Sequence, residues 1–189
     1  RLLKGGRLDG KPGGLSARTV LSHHRVLSEA LSHAVRWGLV ARNVAQAVDP
    51  PRPRRIETTI LDAAGVQRLL DAARDSVYYP IVHLATYTGL RRSEVLGIRW
   101  GDVDLDMGVL SVAQAMHKLR DGRTVFEEPK SAKGRRQVAL SPSAVLALRS
   151  HRERQEAAYD LLGVSLHDTE LVFTQADGSP FLPDSVTHA

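Results

Sequence analysis

Apolar residues return along this chain first at helical spacing and later at strand spacing. Val20, His24, Leu27, Leu31, Ala34 and Val35 share one face of a helix that Ser16 is placed to cap, and Arg18, Ser22, Arg25 and Glu29 share the other. The run WGLVARNVAQAV reads as a turn at Gly38 followed by a short second helix. Three prolines in DPPRPRR, residues 49–55, fix extended geometry and remove donors, so this stretch is a linker. Near Thr59 a second unit begins. Asp62 is placed to cap a helix with Val66, Leu69, Leu70 and Ala73 as its stripe, and Pro80 opens another with Ile81, Leu84 and Ala85 facing inward. That helix closes at Gly89, and a short one follows from Arg91 to Ile98. Alternation then predicts strands at residues 108–115, around Val125 and Phe126, and at residues 137–140. Ser141-Pro142 starts a helix running to about Leu162, and LVF at 171–173 reads as a last short strand. The fold class expected is mainly α with a small β-sheet (α+β).

Composition narrows the setting. Of 189 residues, 42% are hydrophobic and 25% charged, as in ordinary globular chains. Cysteine is absent, which excludes disulfides and thiolate metal sites and fits a reducing, cytoplasmic compartment. No apolar run approaches the ~20 residues of a membrane span. The Gly-rich, basic opening (residues 1–14) has no signal-peptide core and no initiator Met, so an earlier start is expected.

Charge is unevenly placed. Residues 1–60 hold 11 Lys/Arg against 4 Asp/Glu, whereas residues 61–189 hold 15 against 17. A basic first unit on a slightly acidic second one suits an arm that lies on a polyanion. Arg18, Arg25, Arg36 and Arg42, with Arg52, Arg54 and Arg55 in the linker, are the candidate phosphate contacts. Such contacts position a protein without reading sequence.

The densest chemistry lies in TGLRRSEVLGIRWGDVDLD, residues 88–106. Arg91 follows a Thr-Gly turn at a helix opening, and a guanidinium there offers a planar, permanently charged fork to a phosphate. Arg92 is expected to face solvent, Glu94 to orient the helix or Arg91, and Trp100 to pack behind the site. A second stretch, EEPKSAKGRRQVALSP at 127–142, carries Lys130 and Lys133 in a hairpin context. A lysine near a phosphate can protonate a departing oxygen.

Together these two stretches resemble the tyrosine recombinases of the phage-integrase family. The resemblance implies that Arg91 stabilises the transferred phosphate and that Lys130, or alternatively Lys133, is the general acid. It implies a 3′-phosphotyrosyl intermediate, double-stranded DNA as partner, a homotetramer on DNA, and no metal or nucleotide cofactor. Residues 1–48 would be the end of a helical core-binding domain and 49–58 the linker. Residues 59–189 would be an incomplete integrase-type catalytic domain, stopping before the His-x-x-Arg box and the nucleophilic tyrosine. Tyr78, Tyr79, Tyr87 (expected to be buried) and Tyr159 do not stand in the nucleophile's context, and His188 has no arginine three residues on. On this reading the parent protein is an enzyme, and this chain binds DNA without cleaving it. The competing reading is a non-catalytic DNA-binding module, such as an excision factor or repressor-like protein. It accounts for the basic first unit but not for the two boxes.

Overall fold

The computed structural model describes residues 12–54, 57, 60–129 and 134–187, together with Gly5. The chain divides into two compact units, residues 1–60 and 61–189.

In the first unit, helix α1 spans Ala17–Arg36. Ser16 caps it, its hydroxyl accepting the Thr19 N–H at 3.1 Å. Gly38, at φ 71°, ends it in the left-handed conformation that glycine adopts without a Cβ penalty. A 3-10 turn, Val44–Ala47, folds back on the helix. Asn43 Nδ2 donates to the Ser28 carbonyl and the Ser32 hydroxyl, both at 2.8 Å. His24 Nε2 lies 2.9 Å from the Ala45 carbonyl. The four-residue return segment thus meets the His24–Ser28–Ser32 ridge, and Leu27, expected to face inward, is exposed.

The second unit opens with α2, Ala63–Ala73, where Asp62 Oδ1 accepts the Gly65 N–H at 2.7 Å. Helix α3, Tyr79–Thr88, buries Ile81 and Leu84 and stops at Gly89, φ 63°. The expected helix from Arg91 to Ile98 is shorter: α4 covers only Arg92–Val95, with Arg91 as its N-cap. Strands β1 (Val103–Asp104), β2 (Val109–Val112) and β5 (Arg136–Ala139) form an antiparallel sheet in the order β1-β2-β5. Strands β3 (Ala115–Lys118) and β4 (Thr124–Glu127) form a separate antiparallel ribbon.

The single strand expected at 108–115 is therefore two. The break sits where Gln114 Nε2 donates to the Gly97 carbonyl at 2.8 Å. There the chain passes so close that a Cβ on Gly97 would lie 3.1 Å from the backbone of residues 114–116. Residues 171–173 make only one isolated bridge among the described residues, Leu171 to Arg99, because the backbone beyond Arg99 turns at once into a 3-10 helix, Trp100–Asp102. Helix α5, Pro142–Leu161, is capped by Ser141, and α6, Pro183–Thr187, ends the described chain. Val95, Leu96, Ile98, Trp100, Leu110, Met116, Leu148, Val172 and Phe173 form the core beneath these elements.

His83 is an exception inside that unit. It is 4% exposed, flanked by the Tyr79 and Tyr87 rings at 5.6 and 4.7 Å, and its Nδ1 has no hydrogen-bond partner among the described residues. Burial pushes its pKa below the ordinary 6.5, so the folded state holds it neutral while the unfolded chain takes up a proton first as pH falls. Stability is accordingly expected to decline as pH drops below 6.5. His83→Phe should flatten that decline in urea melts at pH ~7.5 and ~5.5. An unchanged difference between the two midpoints would contradict this account. His151, buried and likewise held below its ordinary value by desolvation, acts in the same direction.

Candidate active site

The turn from α3 into α4 positions Arg91. Gly89 reverses the chain, Leu90 is buried as an anchor, and Arg91 then takes an extended conformation, φ −67° and ψ 146°. Its carbonyl accepts the N–H groups of Glu94 and Val95 at 2.9 and 3.0 Å, closing the first turn of α4. One helical turn carries little dipole, so the positive character here comes from side chains.

Glu94 is the hub. Its carboxylate Oε2 accepts the Arg91 backbone N–H at 2.8 Å, and Oε1 accepts from Arg91 Nη1 at 2.9 Å. From β5, Arg136 donates Nη1 to Oε1 at 3.0 Å and Nη2 to Oε2 at 2.9 Å, a parallel two-pronged pair. Four donors thus occupy the carboxylate, which is 9% exposed. The Arg136 guanidinium first, with the two Arg91 donors adding to it, pulls the Glu94 pKa down to about 2 against the opposing cost of burial. Arg91 itself stays 77% exposed. Among the described residues it is held at one nitrogen and at its own backbone, with the rest of its fork open.

Arg91, Ser93, Glu94, His117 and Arg136 line a cleft of about 550 Å³, which Glu127, Glu128, Pro129 and Gly134 complete. Lys130 and Lys133 lie outside the described residues, yet the residues flanking that segment, Pro129 and Gly134, both line the cleft. A Cβ on Gly134 would collide with the Pro129 ring, so only glycine lets these flanks close up. None of the four tyrosines lines the cleft. Tyr87, expected inside, is about half exposed, and Tyr78 packs on Phe181. Arg92 is exposed as expected but not idle: Nη1 donates to the Pro183 carbonyl at 2.9 Å and to the Thr187 hydroxyl, tying α4 to α6. Trp100 is buried at 1% exposure, as expected. Among the described residues no group of three His, Asp or Glu side chains is placed to hold a metal ion.

These two boxes and the fold around them have known counterparts. Residues 59–189 match the family described as the phage integrase family. The chain belongs to that family. A tyrosine recombinase XerC-like protein of Caldanaerobacter subterraneus subsp. tengcongensis is 28% identical over 183 residues, covering 88% of this chain and 47% of that relative. An integrase of Streptomyces ambofaciens is 27% identical over 190 residues, covering 96% and 48%. This phage integrase family chain therefore spans about half the length of the curated relatives it matches.

Among solved structures, the Tn1549 transposon integrase in complex with a circular intermediate DNA superposes with a TM-score of 0.75 at 21% identity, covering 89% of this chain and 54% of that one. A lambda integrase tetramer bound to a Holliday junction gives 0.55 at 17% identity, covering 95% and 53%. These likenesses establish the integrase fold.

In the first unit of this integrase-family chain, Arg18, Arg25 and Arg36 recur at 7- and 11-residue intervals, which an α-helix brings to one face. Arg18, Arg25 and Arg42 are exposed and make no ion pair among the described residues. Arg36 sits 3.8 Å from Glu29, which also holds His33 at 3.1 Å. Arg52 and Arg54 are exposed in a segment outside any helix or strand, and Arg55 lies outside the described residues. Sequence reasoning missed Arg136. Its signal was an arginine at the parity of β5 that faces the sheet's covered side, alternating with exposed Gln137. No helix of the described residues is long and apolar enough to cross a membrane.

Proposed function

We propose that this chain is the DNA-clamping and phosphate-activating part of a site-specific tyrosine recombinase. One observation carries the reading: a guanidinium fixed at its base by a buried carboxylate yet open along its outer edge among the described residues, in a cleft that Pro129 and Gly134, either side of the lysine-bearing segment, also line. In the whole protein, Arg91 stabilises the charge that builds on the scissile phosphate, and a hairpin lysine, Lys130 ahead of Lys133, protonates the departing 5′ oxygen. A tyrosine supplied beyond this cleft forms the 3′-phosphotyrosyl link, and four protomers act on two duplexes without metal or nucleotide. The arginine face of α1 and the basic linker hold the DNA backbone. A DNA substrate places this work in the cytoplasm.

Because no tyrosine of the chain lines the Arg91 cleft, the 189-residue protein is expected to bind duplex DNA without forming a covalent bond to it. Incubation with a nicked suicide duplex, followed by denaturing electrophoresis, checks this; a shifted covalent band would refute it. Binding should weaken steeply between ~50 and ~200 mM salt through counterion release. Arg91→Ala should lower the slope of log affinity against log salt by about one, whatever the duplex sequence. An affinity indifferent to salt, or a slope untouched by Arg91→Ala, would defeat the phosphate reading.

A further inference from the structure

We infer that Arg136 is a positioning residue, which occupies Glu94 through both carboxylate oxygens and so keeps the Arg91 guanidinium available to a DNA phosphate. The inference rests on the phosphate role proposed for Arg91 and adds a second arginine that need not touch DNA. An arginine and a carboxylate frequently form a two-pronged pair, which engages two of the guanidinium's five N–H donors. In this site that arrangement belongs to Arg136, with bonds of 3.0 and 2.9 Å, although it stands 42 residues from Glu94 in sequence. Arg91, only three residues from Glu94, makes a single side-chain bond at 2.9 Å. The remaining acceptor capacity of Glu94 goes to the Arg91 backbone N–H at 2.8 Å, which fixes the base of the side chain and leaves its tip alone. Arg136, 34% exposed against 77% for Arg91, is the inner member of the pair.

The charge balance points the same way. Arg91, Glu94 and Arg136 together carry one net positive charge, and without Arg136 they carry none. Glu127 and Glu128 line the same cleft, so its described lining, two arginines against three glutamates, is already slightly electronegative and the loss would deepen that. Arg136 also begins β5, three residues beyond Lys133 in sequence. The same ion pair therefore pins the start of that strand to the helix that presents Arg91.

Binding of a short fluorescent duplex of arbitrary sequence, titrated across salt concentrations, tests this in the 189-residue chain. Arg136→Gln is expected to lower the salt slope by about one, as if a phosphate contact had been lost, because Glu94 then closes on Arg91. The double variant Arg136→Gln with Glu94→Gln removes the competing carboxylate and should restore the wild-type slope. A purely structural role for Arg136 would not yield that rescue, nor would a direct Arg136–phosphate contact, so a slope that stays low in the double variant overturns the inference. Arg136→Lys keeps the charge without the fork, and serves if Arg136→Gln fails to fold in a thermal melt. It should hold the slope and weaken affinity about threefold; affinity equal to wild type counts against the brace. Arg91→Ala separates the two levels. If Arg91→Ala lowers the slope and Arg136→Gln does not, only the brace falls; if Arg91→Ala changes nothing, both fall.

Discussion

Trp100→Ala is expected to destabilise the second unit by about 3–5 kcal/mol, the range for truncating a fully buried large aromatic. The indole is 1% exposed, and its Nε1–H donates to Gln155 Oε1 at 2.9 Å inside the core. Gln155 spends its own amide on the Leu171 carbonyl at 3.2 Å and the Thr174 hydroxyl at 3.0 Å. Truncation therefore opens a cavity and also strands a buried acceptor. The Arg152 guanidinium, 5.1 Å from the ring centroid, loses its partner as well. Trp100→Phe keeps most of the ring and forfeits only the hydrogen bond, so it should cost about 1–3 kcal/mol. Urea unfolding of the three proteins measures both. A loss below about 1 kcal/mol for Trp100→Ala would show that the ring is not the keystone of the packing beneath α5.

Acid is expected to reveal the second large effect. Glu94 is held at about 2 against an ordinary 4.5, so the unfolded chain takes up its proton first as pH falls. Its contribution, of order 3 kcal/mol, is fully present above pH 4.5 and is lost as pH falls toward 2. Glu94→Gln removes the charge in both states. It should lower stability at pH 7 by about 2–3 kcal/mol and make the remaining stability less sensitive to acid between those limits. Denaturant melts at several pH values would show the two curves converging near the bottom of the range. Parallel curves would mean that the ion triad carries no acid-dependent stability.

Most helices could be read from side-chain chemistry at their starts. Ser16, Asp62 and Ser141 each accept a backbone N–H as expected, and Gly38 and Gly89 take the positive φ that ends α1 and α3. What escaped was decided by contacts distant in sequence. The strand at 108–115 broke because Gly97, on another element, lets the chain pass at backbone distance, and alternation cannot register such a crossing. Leu27 stayed exposed because the return segment over α1 is only four residues long. In the site, Arg91 could be singled out from its turn and neighbours, and Glu94 as its orienting partner. Arg136 could not: a basic run, KGRR, looks the same whether its last member faces solvent or a carboxylate 42 residues away.

A carboxylate whose oxygens are all engaged, and which takes up a proton only as pH falls toward 2, has nothing to lend to a proton shuttle at neutrality. Glu94 thus serves as a fixed counter-ion throughout the physiological range. Any titration seen in the chain's DNA affinity between pH ~5 and ~9 must report some other group.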